Sequence, residues 1–375
     1  MRDMGIFAKK KQGWLDLGTD IALPAGIAEG ETMQRLDNPW RGKGLPEAVL
    51  AGAPWPSVAA GAVGNLLSGC PAAAETPLLR VPGFGADLWI KDERGRMGLG
   101  SFKALGAAYV IAHAAAGTGA RDMARALAGR TYVTASAGNH GLSAAAGARA
   151  FGAQAVVCLA ETVPEGFAER LRAKGAEVIR AGADYEASMV AAGRAAQDNG
   201  WILLSDSSWP EYFELPHRLM EGYLAMADEV TRAMTTPPSH ILLQAGVGGL
   251  AGACAAWFRH VWGDGPQIVV VEPDRAPALQ ESIRAGRPVE TTGPVSVMGR
   301  LDCKVPSLIA LKGLARDADA FVTITDEEAQ AVLGDLAAQG LATTSSGAAG
   351  IAALQHLDLP EAARVLCILS EEAEA

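Results

Sequence analysis

From residue 131 to the end of the chain, short apolar runs alternate with longer alanine-rich stretches of helical character. The runs are TYVTAS (131–136), AVVCLA (155–160), AEVIRAG (176–182), WILLS (201–205), HILLQAG (240–246), IVVVEP (268–273), AFVTIT (320–325) and VLCILS (365–370). Between them lie segments such as PEGFAERLRAKG and GLAGACAAWFRHVW. A strand that is apolar along its whole length is covered on both faces, as parallel strands joined by helices are. The alternation therefore predicts an α/β fold of open, mainly parallel, twisted sheets flanked by helices. There are more strands than one small sheet needs, so two sheets are expected. One would belong to a large domain of residues 1–109 plus 216–375, the other to a small mobile domain of 110–215. Residues 1–75 are rich in Pro, Gly and Trp and carry no clear pattern.

Bulk properties narrow the function. The 375 residues suffice for about two domains with a large core. A net charge of −10 leaves no basic face to neutralise phosphates, which argues against nucleic acid. The five cysteines are scattered and show no metal-binding or redox spacing, so no metal is expected and a cytoplasmic, reduced setting fits best. No run of about 18 apolar residues predicts a membrane span. The basic MRDMGIFAKKKQG start lacks the apolar core of a signal peptide.

In parallel α/β sheets, ligands bind beyond the carboxyl ends of strands, and several of those turns carry chemistry. GLGSFKALGAAY (98–109) sets a single charge, Lys103, among small and apolar residues. Loss of hydration disfavours the ammonium and predicts a lowered pKa and a nucleophilic amine. The plain alternative is a lysine whose stem lies on apolar surface. TASAGNHG (134–141) puts Ser136, Asn139 and His140 at a strand end before a helix, where N–H groups suit a carboxylate or phosphate. An ordinary N-cap has the same composition. QAGVGGLAG (244–252) offers Gly246, Gly248 and Gly249 as a phosphate cradle. The spacing Gly246-x-Gly248-x-x-Ala251, with Glu272 ending the next strand, also satisfies a relaxed dinucleotide fingerprint, so an NAD-dependent oxidoreductase competes. Asp206 in LLSDSSWPEY is a candidate base or amine ligand, or an Asx-turn acceptor. Ser370 and Glu371 follow the last strand, where a hydroxyl is able to meet a heterocycle nitrogen or simply solvent.

KDERGRMGLGSFKALGAAY (91–109), SAGNHG (136–141), SDSSW (205–209), QAGVGGLAG (244–252), VVVEPDRA (269–276) and VMGRLDCKVPS (297–307) occur in one order. Together they resemble the fold-type-II pyridoxal-phosphate enzymes, the group of threonine and serine dehydratases and tryptophan synthase β. The pattern is most similar to diaminopropionate ammonia-lyase, over roughly residues 75–375. The resemblance implies a cofactor, pyridoxal 5'-phosphate, held as a Schiff base by Lys103. It implies that Asn139 bonds the phenolic oxygen and that Gly246, Val247, Gly248, Gly249 and Leu250 hold the phosphate. Ser370 would meet the pyridine nitrogen. Ser136, Ala137 and His140 would receive the substrate carboxylate, and Asp206 would be the acidic catalytic group. The implied reaction is α,β-elimination from a small β-substituted amino acid, giving a 2-oxo acid and ammonia, in a homodimer. A serine, threonine or hydroxyaspartate dehydratase, a β-replacement synthase and a non-catalytic relative stay open.

Three departures bear on substrate. The ammonia-lyases carry Asp-Gly-Asn-His-Gly where this chain has Ala137 before Gly138. Leu-Asn-Ala-Phe-Lys reads Leu99-Gly100-Ser101-Phe102-Lys103. Ser-Thr-Glu-Gly reads Ser370-Glu371-Glu372-Ala373, which can shift the pyridine partner by one residue.

Overall fold

The computed structural model describes residues 33–374 apart from 137, 184 and 361. Its strands are β1 Gln34–Asp37, β2 Leu78–Val81, β3 Asp87–Asp92, β4 Thr131–Ala135, β5 Gln154–Leu159, β6 Glu177–Arg180, β7 Ile202–Leu203, β8 His240–Gln244, β9 Gln267–Pro273, β10 Ala320–Ile324 and β11 Arg364–Leu369. They form a seven-stranded sheet, β1-β10-β9-β8-β11-β3-β2, and a four-stranded sheet, β6-β5-β4-β7. The small sheet is wholly parallel. The large one is parallel from β10 to β3, with β1 and β2 added antiparallel at its two edges. The α/β expectation of two mainly parallel sheets is borne out.

Every apolar run from residue 131 onward is a strand, and the reason is visible in burial. β4, β8 and β10 are buried at each position, with helices on both faces, so no polar alternation survives in their sequence. β1, β2 and β3 escape that pattern. β1 is an edge strand with alternate residues exposed. β3 reads DLWIKD, and its charges hide a buried strand. Lys91 is 1% exposed because Glu229 takes its ammonium at 2.5 Å. The same carboxylate binds Arg96 at 2.7 Å, and Arg96 also holds Glu93 at 2.7 Å. A fully buried four-charge cluster thus fastens the chain leaving β3 to the helix Leu224–Ala233.

Beyond that fastening the chain turns toward the cleft between the sheets. The segment 94–101 passes through a left-handed Met97 and through Gly98 and Gly100, then enters a short 3-10 helix, Phe102–Leu105, that carries Lys103. Ser101 caps it by accepting the Lys103 amide. Among the described residues no helix is long and apolar enough to cross a membrane, and no group of His, Cys, Asp or Glu is placed to hold a metal ion.

Candidate active site

The carboxyl ends of β4, β7, β8 and β11 meet at one cleft, and the turns after them supply its walls. Lys103 Nζ lies 2.5 Å from Asp206 Oδ2, across 103 positions of sequence. Asp206 is placed by a tightly bonded turn after β7. The Tyr212 hydroxyl donates to the Leu203 carbonyl (2.8 Å) and accepts the Ser205 amide (3.0 Å). Ser208 meets Ser307 hydroxyl to hydroxyl at 2.7 Å, and the Ser307 amide donates to the Val247 carbonyl of the glycine turn (2.9 Å). The acidic turn and the glycine turn are therefore one unit.

The expected lowering of the lysine pKa is not found. Burial acts in that direction, but the Asp206 carboxylate opposite, helped by Tyr223 and Cys303, outweighs it and raises the pKa. Burial likewise works to raise Asp206, and the Lys103 charge, with His140 and the hydrogen bond, brings it well below the usual range. In this state the pair is an ammonium facing a carboxylate. An apolar sequence neighbourhood predicts desolvation; it does not reveal a countercharge contributed by another strand.

The glycine turn fits a phosphate. Gly248 is left-handed (φ 96°) and opens the helix Gly249–Trp262. The intrahelical ladder starts only at the Gly252 amide, which bonds the Gly248 carbonyl (2.8 Å), so first-turn amides face the cleft as anion donors. Gly246 has no room for a side chain, since a Cβ there would lie 2.9 Å from Cys303 Sγ and 3.1 Å from Leu301 Cα. The dinucleotide alternative loses its acid. Glu272 is fully buried and accepts the amides of Leu279 (2.8 Å) and Gln280 (2.7 Å), which caps the helix Ala278–Ala285. Completely buried and engaged by these amides, it is out of reach of a ribose.

The turn after β4 opens the helix Asn139–Ala150. Asn139 Nδ2 donates to Glu371 Oε2 at 2.7 Å. The Ser136 hydroxyl is engaged within its own turn, accepting the amides of Gly138 (3.1 Å) and Gly141 (3.0 Å). His140 is buried, and burial holds its pKa below the ordinary imidazole value. Its Nε2 bonds the Leu204 carbonyl at 2.9 Å, so Nε2 carries the proton and Nδ1, without a partner, presents a lone pair. Such a ring offers a carboxylate no N–H in this tautomer. Ala137 lies outside the described residues. Ser370 is buried at the end of β11, its amide on the Gly347 carbonyl.

Three further groups line the site for which the sequence reading named no role. Tyr223 is buried beside Lys103, and burial raises its phenol well above the ordinary value. Its ring packs on Phe102 at 4.9 Å. The Cys303 thiol is pushed up to about 12 by burial and by Asp206. Arg300 reaches from the turn before Cys303 to Glu371 (2.9 Å). Arg300 and Cys303 lie in the VMGRLDCKVPS stretch (297–307) that carries part of the resemblance, and Tyr223 lies in none of those stretches; tertiary packing brings all three to the site.

An amine nucleophile, an anion cradle, and an amide and hydroxyls near one another in a buried cleft are the donor set that pyridoxal phosphate requires. Comparisons with known proteins agree. A profile of the pyridoxal-phosphate dependent enzyme family matches residues 70–371. The chain is similar to diaminopropionate ammonia-lyase of Salmonella typhimurium, 31% identical over 258 residues, or 63% of this chain and 64% of that protein. The match thus spans just under two thirds of the length of those curated relatives. The chain is also similar to serine dehydratase-like protein of Mus musculus, 32% identical over 176 residues, covering 47% of this chain and 51% of the relative. A crystal structure of the Escherichia coli diaminopropionate ammonia lyase in complex with D-serine superposes with a TM-score of 0.80 at 27% identity, over 91% of this chain and 94% of that one. With cradle, amine and matched length in agreement, the chain belongs to the pyridoxal-phosphate dependent enzyme family, and its cofactor is pyridoxal phosphate.

Proposed function

We propose that this protein is a lyase that removes a β-substituent and the α-proton from a small amino acid, releasing a 2-oxo acid and ammonia, in the manner of a diaminopropionate ammonia-lyase. The observation that carries the reading is the Lys103–Asp206 pair at 2.5 Å beside the glycine cradle. When bound, the pyridoxal ring takes up the electron pair left at Cα. Everything else falls to the chain. The first-turn amides of the Gly249–Trp262 helix, with Gly246 to Leu250, hold the phosphate. Lys103 would hold the cofactor covalently, and its amine, when free, would accept the Cα proton.

Asp206 changes role with the lysine's charge. While Lys103 is an ammonium, its positive charge keeps Asp206 ionised. Were the Lys103 ammonium charge removed, as it would be for a neutral amine, burial, the largest influence on Asp206, would raise the proton affinity of its carboxyl. Asp206 is then suited to hold a proton and hand it to the departing β-amine as the Cβ–N bond breaks. The released enamine takes up water and yields the oxo acid and ammonia. Ala137 stands where the resemblance places an Asp that acts as a base toward the D-isomer. The reading therefore favours the L-isomer over the D-isomer. We take the working form to be a cytoplasmic homodimer, as the relationship implies.

The test is a panel of β-substituted amino acids (2,3-diaminopropionate as both isomers, serine, threonine, 3-hydroxyaspartate), with ammonia and oxo-acid release measured. Turnover of L-2,3-diaminopropionate above the hydroxy amino acids supports the reading. Preference for serine or threonine makes the protein a dehydratase, and no release from any member overturns the lyase.

A further inference from the structure

We infer that Glu371 is the residue that meets the ring nitrogen of bound pyridoxal phosphate and keeps a proton on it, an inference that rests on the cofactor and reaction read above. The first ground is the face on which this side chain lies. Residues 100–102 and 370–372 run antiparallel, with Ser101 paired to Glu371. The Phe102 amide bonds the Ser370 carbonyl (3.0 Å) and the Glu372 amide bonds the Gly100 carbonyl (2.9 Å). Side chains alternate along such a ladder, so Glu371 shares a face with Ser101, the cap of the Lys103 turn, and Ser370 lies on the other face. The sequence resemblance points to Ser370; the pairing selects its neighbour.

The second ground is how the carboxylate is held. It is 4% exposed. Oε1 accepts the Thr344 hydroxyl at 2.5 Å, while Thr344 in turn accepts the Gly347 amide at the start of the helix Ser345–Leu354. Oε2 accepts Asn139 Nδ2 at 2.7 Å and lies 2.9 Å from Arg300 Nε. The far end of Arg300 is taken by Glu374 at 2.9 Å. Oε1 is thus fixed, and one of the two partners of Oε2 is the amide that the resemblance gives to the phenolic oxygen.

The third ground is complementarity. The side chains packed on the glycine turn include Cys303, Leu279, Met220 and Tyr223, whereas Asn139 and Glu371 make a separate pair. A pyridoxal ring carries its phosphate arm on one edge; its other edge presents an ionised phenolic oxygen, which accepts, and a protonated nitrogen, which donates. One amide donor beside one carboxylate acceptor satisfies that edge. Burial raises the proton affinity of Glu371, with Arg300 and the Thr344 bond acting against it. A carboxylate in this place makes the ring a stronger electron sink than a neutral hydroxyl would.

The experiment reads the nitrogen directly. The full-length protein is reconstituted with pyridoxal phosphate carrying nitrogen-15 in the ring, and its nitrogen resonance is recorded near neutral pH for wild type, Glu371→Gln and Glu371→Thr. The absorption band of lysine-bound cofactor is recorded in parallel. The expected result is a resonance in the protonated range for wild type that moves to the unprotonated range in both variants, with the band retained. An unprotonated nitrogen in wild type, or a protonated one in either variant, overturns the inference and leaves the lyase reading intact. Absence of the lysine-bound band from wild type overturns both.

Discussion

Lys103 and Asp206 show that a residue's chemistry is set by its partner as much as by its burial. The ammonium is stable here only because a carboxylate stands 2.5 Å away, and the carboxylate is ionised only because of the ammonium. Asp206→Asn is therefore expected to leave the lysine-bound cofactor band in place and to lower kcat by about 10²–10⁴-fold, the usual worth of a positioned acid or base. Lys103→Ala is expected to lose the band together with turnover. Retention of wild-type kcat in Asp206→Asn removes it from proton transfer. Glu272 supplies a pH test away from this chemistry. Burial raises its pKa to about 8, although the Leu279 and Gln280 amides act against that rise. The unfolded carboxyl titrates near 4.5. Between these values the folded state keeps a proton that the unfolded chain has lost, so this residue's contribution to stability falls as pH rises. Denaturant unfolding at pH 5 and pH 8 is expected to show a smaller decline for Glu272→Gln than for wild type.

At the scale of elements, the buried charge cluster of Lys91, Glu93, Arg96 and Glu229 is the joint that steadies the approach to Lys103. Removing one member leaves an unpaired buried charge, which costs about 3–5 kcal/mol. Glu229→Ala is thus expected to destabilise by that amount in urea titrations, and an unchanged midpoint would refute the joint. The same cluster explains what the sequence concealed. β4, β5 and β8 to β11 announce themselves because both faces are covered and nearly every residue is apolar. β3 is just as buried along Ile90 to Glu93, yet its lysine and acids read as surface until Glu229, far along the chain, is brought to them. β1 and β2 are edge strands, and half-exposed edges carry little periodic signal.

Across the whole molecule, the cleft is built by two sheets that contribute different things. The large sheet brings the glycine turn and Glu371, the small one brings Asn139 and Asp206, and Lys103 lies on the connection between them. A ligand that spans both is expected to stabilise the folded chain, by about 2.7 kcal/mol at a hundred times its dissociation constant. Thermal melts with and without pyridoxal phosphate check this, and Gly246→Ala is expected to abolish the shift because its Cβ would press on Cys303. The fold class, the candidate amine and the candidate anion cradle are legible in the order of residues alone, since neighbours in the chain encode them: unbroken apolar strands, one lysine among small residues, three glycines at the start of a helix. The ionisation of Lys103, the capping duty of Glu272 and the choice of Glu371 over Ser370 as the group facing the site emerge only once the chain is folded. Each depends on a charge, an amide or a strand pairing supplied from elsewhere in the chain, and electrostatics and hydrogen bonding act over ångströms of space whatever the separation in sequence.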